Sequence, residues 1–588
     1  MILQALIEYA EREDLGDADF HEAPVRWLIS LDASGNFTGV IPLLDNPDAK
    51  KPKPRTLTRP FIEQKELTVA SRPRAFFLCD TLERAVNYPD PKKPERAERR
   101  EGSHAYFKRL LEAAVEECPN DGPKAQATLT FLNQPNALER LHASLTEQKA
   151  KPNDNITFRV SDHTLLQSEE LKQFWRRRRA ADRPQAAGRK RFCLATGELT
   201  EPVSTTEKIK GVPGGLAVGT NLISFDKASF TSFGLQQGEN ASISAAAELK
   251  IRSALNELIQ RGLRQNEIVH LHWTRKKEEL DPFRLVETAD EQEVRSLIDA
   301  PRTGQSQHEL DARKYYAMSL SGNGGRIIVR DWLESTVPEV EQNVRQWFED
   351  LAIVRPEGDP IRPFKLGYLL YGLVRDKLDE LAPQIPTQLL YAALRGTPLP
   401  LPALTAALKR QQIETDNKTN PARLALIKAC LERQDRLNQS KERNNMTESL
   451  NTESMDPAYL CGRLFSVFER LQWLAHNSPN KRTTINAGIV ERFYASASTT
   501  PHIVMGRLFQ NAASHRKMAR DNWGEGTDNN IQRIIEELST KLGDHFPPSL
   551  DLEGQGRFAL GYYHQKAEDR RRSAERKEQA ANAESDTV

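Results

Sequence analysis

Apolar residues recur at helical spacing from the first turn of the chain. Ile2, Leu3, Leu6, Tyr9 and Ala10 fall on one face, which predicts an amphipathic helix. Residues 25–32 then alternate like a strand, 33–36 (Ala-Ser-Gly-Asn) read as a turn, and 37–44 read as the return strand of a hairpin. Short strands are expected at 66–70, 74–79 and 155–160, and helices at 80–88, 104–117, 136–147 and 165–179. The Pro-, Lys- and Arg-rich residues 46–60 read as a loop. Further on, 222–225 and 267–273 read as strands, and Ser244 opens a helix to 261. Strands at 313–319 and 325–332 flank a tight turn at 321–324, a second hairpin.

The pattern changes beyond residue 338, where apolar residues keep the helical period. Val344, Trp347, Phe348 and Leu351 form one stripe, and helices are expected at 366–380, 387–394, 401–411 and 422–435. Residues 438–456 carry almost no apolar side chains and read as a linker. Helices follow at 458–474, 490–497, 501–520, 529–542 and from 558 onward. From Lys566 the tail becomes charged and then small and polar, which predicts disorder.

This pattern gives an α+β fold: a mixed N-terminal and central region with short antiparallel strands and hairpins, then a mainly helical half ending in a helical bundle. The expected divisions are an α+β domain at 1–192, a central α+β region with glycine-rich loops at 193–335, a helical region at 336–437, the linker at 438–456, a bundle at 457–565 and the tail at 566–588.

Length and composition narrow the classes. A chain of 588 residues has room for several cores. A formal net charge of +1 excludes a generally basic DNA-coating protein but permits local basic patches. The five cysteines are scattered, with no CxxC pair, so neither a disulfide framework nor a zinc ribbon is expected. The opening MILQALIEYAERED gains charge too early for a signal peptide, and no apolar run reaches the ~20 residues of a spanning helix. A cytoplasmic location without membrane attachment is expected.

Chemistry concentrates between Cys193 and Asn256. A basic, glycine-rich loop carries Lys208, Lys210, Gly214 and Gly215. Asn221 follows, and a second loop carries Gln236, Gln237 and Asn240. Glycines permit close backbone approach, lysines suit phosphates, and Gln and Asn can read base edges. Arg176, Arg177, Arg178 and Arg179 precede this stretch and extend the basic surface toward it. These residues form the expected DNA-binding set. His270 and His272 lie on one face of a strand, but no third ligand has suggestive spacing, so they read as structural. GVPGG lacks the Gly-Lys-Ser/Thr of a phosphate loop and the GxGxxG dinucleotide spacing, and no GxSxG, HExxH or DFG-type set occurs. No catalytic residue, cofactor or metal site is expected.

Several blocks together resemble the large subunit of the type I-C CRISPR Cascade surveillance complex. They are MILQALIEYA with PVRWLISLDASGNFTGV, CLATGE, KIKGVPGG, LISFDKASFTSFGLQQGENASIS, YAMSLSGNGGRIIVRDW, LLYAALRGTPLP and DPAYLCGRLFSVFERLQ. Two sites depart from the family pattern: the TLERAVNY spacing after Asp80, and Gly322-Asn323-Gly324-Gly325 in place of Pro-Asn-Ala-Ala. The resemblance implies a non-catalytic subunit that recognises the PAM in double-stranded DNA, helps open the duplex, supports the R-loop and helps dock a helicase-nuclease. Implied partners are the backbone subunits, the guide-RNA-end subunit, a separately made small subunit, the CRISPR guide RNA and the target duplex. The helical C-terminal part resembles the small-subunit region, implying backbone contacts to the displaced strand or heteroduplex. Met446 and Met455 lie where an internal start for a separate small product would fall. The competing expectations are a nucleic-acid-processing endonuclease of the same defence system and a scaffold subunit that does not read DNA.

Overall fold

The computed structural model describes residues 2–17, 19–45, 52–62, 73–182, 190–225, 227–299, 313–355, 362–414, 418–438, 446–483 and 488–585. The strand expected at 66–70 lies outside them. The fold is α+β, with short sheets first and helices in the C-terminal half. The chain divides into two compact units, Met1–Leu271 with Leu320–Arg330, and His272–Ser319 with Asp331–Val588.

The first unit opens with helix α1 (Ile2–Arg12), which buries Leu6, Ile7, Tyr9 and Ala10. Strands β1 (Phe20–Val25), β2 (Trp27–Leu31), β3 (Phe37–Pro42) and β4 (Arg55–Pro60) follow. The hairpin β2–β3 is antiparallel as expected, with a register shift at Ser30/Leu31. Its turn is held by Asp32, whose Oδ1 accepts from the Ser34 and Asn36 amides at 2.9 and 2.8 Å. A loop was expected at 46–60, but β4 pairs antiparallel with β1 from Phe20↔Pro60 to Val25↔Arg55. Prolines at 52, 54 and 60 mask this strand, and they are tolerated because it lies at the edge of a two-stranded sheet.

Strands β5 (Cys79–Thr81), β6 (Asn155–Val160) and β7 (His163–Thr164) complete a sheet of order β3-β2-β6-β5, with β7 on β6. β2 and β6 run parallel, so the antiparallel expectation fails at the centre of this sheet. A parallel pair needs a long crossover. Helices α2 (Leu82–Ala85), α3 (Ala97–Glu117), α4 (Gly122–Leu132) and α5 (Pro135–Glu147) supply it. α4 escaped the pattern because it opens on Gly-Pro, yet proline in the first turn is a start signal. The strand expected at 74–79 is reduced to Cys79–Thr81. Asp80 explains why: fully buried, it accepts from the Phe76 and Thr81 amides at 2.7 and 2.6 Å and curls the preceding residues into a turn. Helix α6 (Glu169–Asp182) anchors Trp175 in the same core, its Nε1 donating to the Asp19 carbonyl at 2.8 Å.

The ribbon β8 (Arg191–Phe192) with β9 (Leu199–Thr200) leads to helix α7 (Ala245–Arg261), capped by Ser244 as expected. α7 packs on α1 through Tyr9–Glu257 and Lys250–Glu11 at 2.6 Å. Strands β10 (Leu263–Gln265), β11 (Ile268–Thr274), β12 (Lys314–Asn323) and β13 (Arg326–Thr336) form a sheet in that order. The second hairpin is present, but its strands extend to a tighter turn at Gly324-Gly325. No strand forms at 222–225; Leu222 and Ile223 instead turn toward Ile209, Ile243 and Ile251 around a small cavity.

In the second unit, helices α8 (Pro282–Thr288) and α9 (Glu291–Asp299) precede α10 (Val337–Leu351), α11 (Leu366–Tyr371), α12 (Gln384–Arg395), α13 (Leu401–Ile413) and α14 (Pro421–Leu437). α10 and α14 are joined by a buried ionic cluster. Asp350 accepts from Arg433 at 2.7 Å and also engages Arg436. The C-terminal bundle comprises α15 (Pro457–His476), α16 (Ile489–Thr499), α17 (Pro501–Trp523), α18 (Glu525–Leu542) and α19 (Leu552–Ser585). α15 packs against the other four. Phe465, Tyr494, Phe558 and Tyr562 meet there with centroids 5.3–6.0 Å apart, mostly edge to face.

Three expectations change in this unit. The helix expected at 366–380 ends at Tyr371, and only a short 3-10 turn at Leu378–Glu380 follows. The tail does not lose order at Lys566: α19 continues through Ser585. Its charged residues are matched along the helix, as in Arg571 with Glu568 at 2.8 Å and Arg572 with Glu568 at 2.6 Å, and Arg470 of α15 grips Asp569 at 2.8 Å. The described part of the linker, 446–456, is pinned. The Glu448 carbonyl accepts from the Val354 amide at 2.8 Å, and the Asn451 amide donates to the Tyr459 hydroxyl at 3.1 Å. Met446 is buried and Met455 is 60 % exposed.

Candidate nucleic-acid interface

Ile209 organises the first loop. Its amide and carbonyl pair with Thr220 at 2.8 and 2.9 Å, closing the intervening residues into a lobe. Its side chain is buried, while Lys208 and Lys210 on either side are exposed. Residues at i and i+2 of an extended segment share a face, so the two lysines point the same way. The Lys210 amide donates to Asn256 Oδ1 at 3.1 Å, tying this edge to α7.

The glycines have a different task from the one expected. They bring the lobe onto the tip of the β12–β13 hairpin. The Gly322 amide donates to the Pro213 carbonyl at 2.7 Å, and Gly215 bridges Gly324 in parallel. A Cβ on Gly322 would lie 2.3 Å from the Gly215 nitrogen, and one on Gly214 would lie 3.0 Å from the Gly322 carbonyl oxygen. The close approach they permit is therefore chain to chain. Gly322, in the block that departs from the family pattern, is part of this junction.

Asn221 extends the junction. Its amide nitrogen donates to the Gly325 carbonyl at 2.9 Å and its carbonyl accepts from Ile327 at 3.0 Å. Its side chain donates to the Thr206 carbonyl at 2.8 Å. Asn221, expected among the DNA contacts, is thus engaged inside the protein.

The second lobe spans 227–241 and is tied by the Gly238 amide, which donates at 2.8 Å to the carbonyl of Ser204, in the segment that precedes the first lobe. Asn240 is its internal clamp. Oδ1 accepts from the Ser232 amide at 3.0 Å, and Nδ2 donates to the Leu235 and Gln237 carbonyls at 3.2 and 3.0 Å. Gln236 and Gln237 stay exposed; Glu239 accepts from the Gln236 amide at 3.0 Å, and Gln237 has φ +43°. Phe233, also left-handed at φ +53°, is 98 % exposed at the lobe's tip. Arg326 from the hairpin lies over the Phe230 ring at 4.2 Å. Phe230, Phe233 and Arg326 were not singled out from the sequence. The doubled Phe in SFTSF was the available signal, since two aromatics beside a glycine in a polar loop have no core to fill.

The arginine run does not join these lobes as a free basic surface. Arg176 pairs with Asp17 at 2.8 Å, Arg177 with Glu117 at 3.8 Å and Arg179 with Asp19 at 3.8 Å. Three of the four expected cations are thus matched by carboxylates of the same unit, and Arg178 on the same helix is half-buried. Arg183 and Arg189 lie outside the described residues.

The histidines read as structural sit in different environments. His270 is fully buried, and burial lowers its pKa to about 4. His272 approaches Asp281 at 3.8 Å and stacks on Tyr315. Cys193, at the head of the stretch, is buried and its Sγ accepts from the Ser244 amide at 3.4 Å. Burial would raise its pKa, but hydrogen bonds from Thr196, Ser244 and Ala195 outweigh that and lower it to about 7. Among the described residues, no group of three or more His, Cys, Asp or Glu is placed to hold a metal ion, and no helix is long and apolar enough to cross a membrane.

Two exposed lobes, one cationic and one aromatic and amide-bearing, are thus braced on a single hairpin tip. The family model for CRISPR-associated proteins of the Cas_Csd1 type matches residues 6–569. The chain belongs to this CRISPR-associated family. No curated protein matches it.

Proposed function

We propose that this protein is the non-catalytic large subunit of a type I-C RNA-guided Cascade complex. In this reading the two lobes recognise the PAM in double-stranded DNA. The protein then helps open the duplex, stabilises the R-loop and helps dock the helicase-nuclease. The observation that carries the reading is the braced pair of lobes in a member of a CRISPR-associated family. Lys208 and Lys210 suit two phosphates. Gln236 and Gln237 suit base edges, since their amides are exposed where those of Asn221 and Asn240 are occupied. Phe233 offers the kind of apolar surface that can intrude between base steps. Sequence reading by so few side chains suffices when guide pairing reads the remaining target; this logic is known for a different, single-protein effector.

The test is binding of the assembled complex to matched duplexes with and without the PAM. Lys208→Ala with Lys210→Ala should weaken binding to both duplexes and make the salt slope shallower by roughly two. Gln236→Ala with Gln237→Ala should reduce the preference for the PAM duplex by about tenfold or more, since base-edge contacts contribute roughly 1–3 kcal/mol each. If both double variants bind as the wild type does, the lobes are not the interface. A complex that assembles but shows no PAM preference supports the scaffold reading. Metal-dependent cleavage of repeat RNA or DNA by the protein alone supports the endonuclease reading.

A further inference from the structure

The turn that closes the β12–β13 hairpin carries a chemistry that the lobe assignment does not use. Asn323 and Gly324 are the one Asn-Gly step in the sequence. An Asn side chain is short enough for the next backbone nitrogen to reach its carbonyl carbon and close a succinimide ring. A Cβ on the following residue hinders that approach, and glycine has none. Asn323, Gly324 and Gly325 are all exposed. Gly324 has φ +57°, and a Cβ built on it would meet nothing within 4 Å, so the ring has room to form. The Asn323 side-chain amide is held by no hydrogen bond among the described residues, in contrast to those of Asn221 and Asn240.

The same turn is the brace of both lobes. On one side of Asn323, the Gly322 amide donates to the Pro213 carbonyl at 2.7 Å. On the other, Gly324 bridges Gly215, and the Gly325 carbonyl accepts from the Asn221 amide at 2.9 Å. Arg326 follows, over the Phe230 ring at 4.2 Å. The contacts on the two sides fit one backbone spacing between them.

We propose that Asn323 is a site of spontaneous deamidation and that its products loosen the brace. The Gly324 nitrogen attacks the Asn323 side-chain carbonyl carbon. A C–N bond forms, the bond to Nδ2 breaks, and Nδ2 leaves as ammonia with the proton from Gly324. Water then adds to one of the two carbonyls of the succinimide and breaks a ring C–N bond. Opening at the former side-chain carbonyl gives an aspartyl residue, and opening at the backbone carbonyl gives an isoaspartyl link. The sum is amide plus water to carboxylic acid plus ammonia, with no change of oxidation state. Both products place a carboxylate in the turn. The isoaspartyl link also adds one carbon to the backbone between Gly322 and Gly324, so the Pro213 bond and the Gly215 bridge cannot both be kept. The modification stands independently of the nucleic-acid reading; only its effect on binding rests on that reading.

The test ages the full-length protein in warm, mildly alkaline buffer. Peptide mapping should show the peptide that carries Asn323 gaining the mass difference between OH and NH2, in step with ammonia release, and splitting into aspartyl and isoaspartyl forms. The rate should rise with pH, because attack needs the deprotonated Gly324 nitrogen. Gly324→Ala and Asn323→Gln should each suppress the reaction, and the second carries the test if the positive φ at 324 rejects alanine. Hydrogen exchange reads the brace. In the aged wild type the Asn221 and Gly322 amides should exchange roughly two- to tenfold faster, the range for one lost hydrogen bond, and in aged Asn323→Gln they should not. Duplex binding by complexes assembled from fresh and aged protein reads the lobes separately: faster exchange with unchanged binding counts against the lobe assignment and leaves the modification standing. An aged wild type with Asn323 intact, or one fully modified there with unchanged exchange at both amides, overturns the proposal.

Discussion

Two asparagines and two glutamines of the same stretch have opposite fates, and hydrogen bonds decide which is which. Asn221 and Asn240 spend their amides on backbone groups at 2.8–3.2 Å, whereas Gln236 and Gln237 face solvent. Shorter Asn side chains reach neighbouring backbone readily, and that local competition is invisible in composition. His270 shows the same divide between residue type and environment. In the sequence it is half of an i, i+2 pair; in the fold it is a fully buried ring whose pKa burial lowers from 6.5 to about 4. Between these values the unfolded chain takes up a proton that the folded chain refuses. Stability is therefore full above pH ~6.5 and is lost as pH falls toward ~4, by about 3 kcal/mol for this group. Urea unfolding at a series of pH values should show this loss, and His270→Gln should flatten it. An unchanged pH slope in a folded variant would remove His270 from the account.

Elements were legible where their periodicity was undisturbed. The helices α10 and α12–α18 and the strands β2, β3, β6 and β11–β13 lie close to the positions that spacing predicts. Elements were missed where a local signal ran against the final structure. Prolines hid β4, a Gly-Pro start hid α4, and charge hid the distal half of α19. Its proximal half has another feature that the apolar pattern does not express. A Cβ on Gly462 of α15 would lie 2.0 Å from the Phe558 carbonyl oxygen, and one on Gly561 of α19 would lie 2.1 Å from the Tyr459 carbonyl oxygen. The two helices thus meet backbone to backbone, at a separation no larger residue permits. Gly462→Ala and Gly561→Ala should each destabilise the bundle by at least about 1–3 kcal/mol despite the better helix propensity of alanine, worth up to ~1 kcal/mol the other way. Thermal melting of each variant checks this; a raised melting temperature would show that the helices separate without cost.

Across the whole molecule, a near-neutral chain carries its cationic and aromatic surfaces as separate local features. In the first unit, a hairpin tip braces two lobes bearing Lys208, Lys210, Phe233, Gln236 and Gln237. In the second, a cationic groove with a tryptophan platform lies in the C-terminal bundle. The sequence indicated the first region through its lysines, glycines and family resemblance, but not which residues brace and which remain available. The second is hidden in the sequence because its cations are distant from one another and its wall reads as a charged tail. Contact between the second lobe and the PAM is tested by a photo-crosslinking amino acid at position 236 in the assembled complex on a labelled target duplex. PAM reading by this lobe gives a crosslink to nucleotides of the PAM that disappears when the PAM sequence is changed. A crosslink to guide RNA alone, or one indifferent to the PAM, would contradict it.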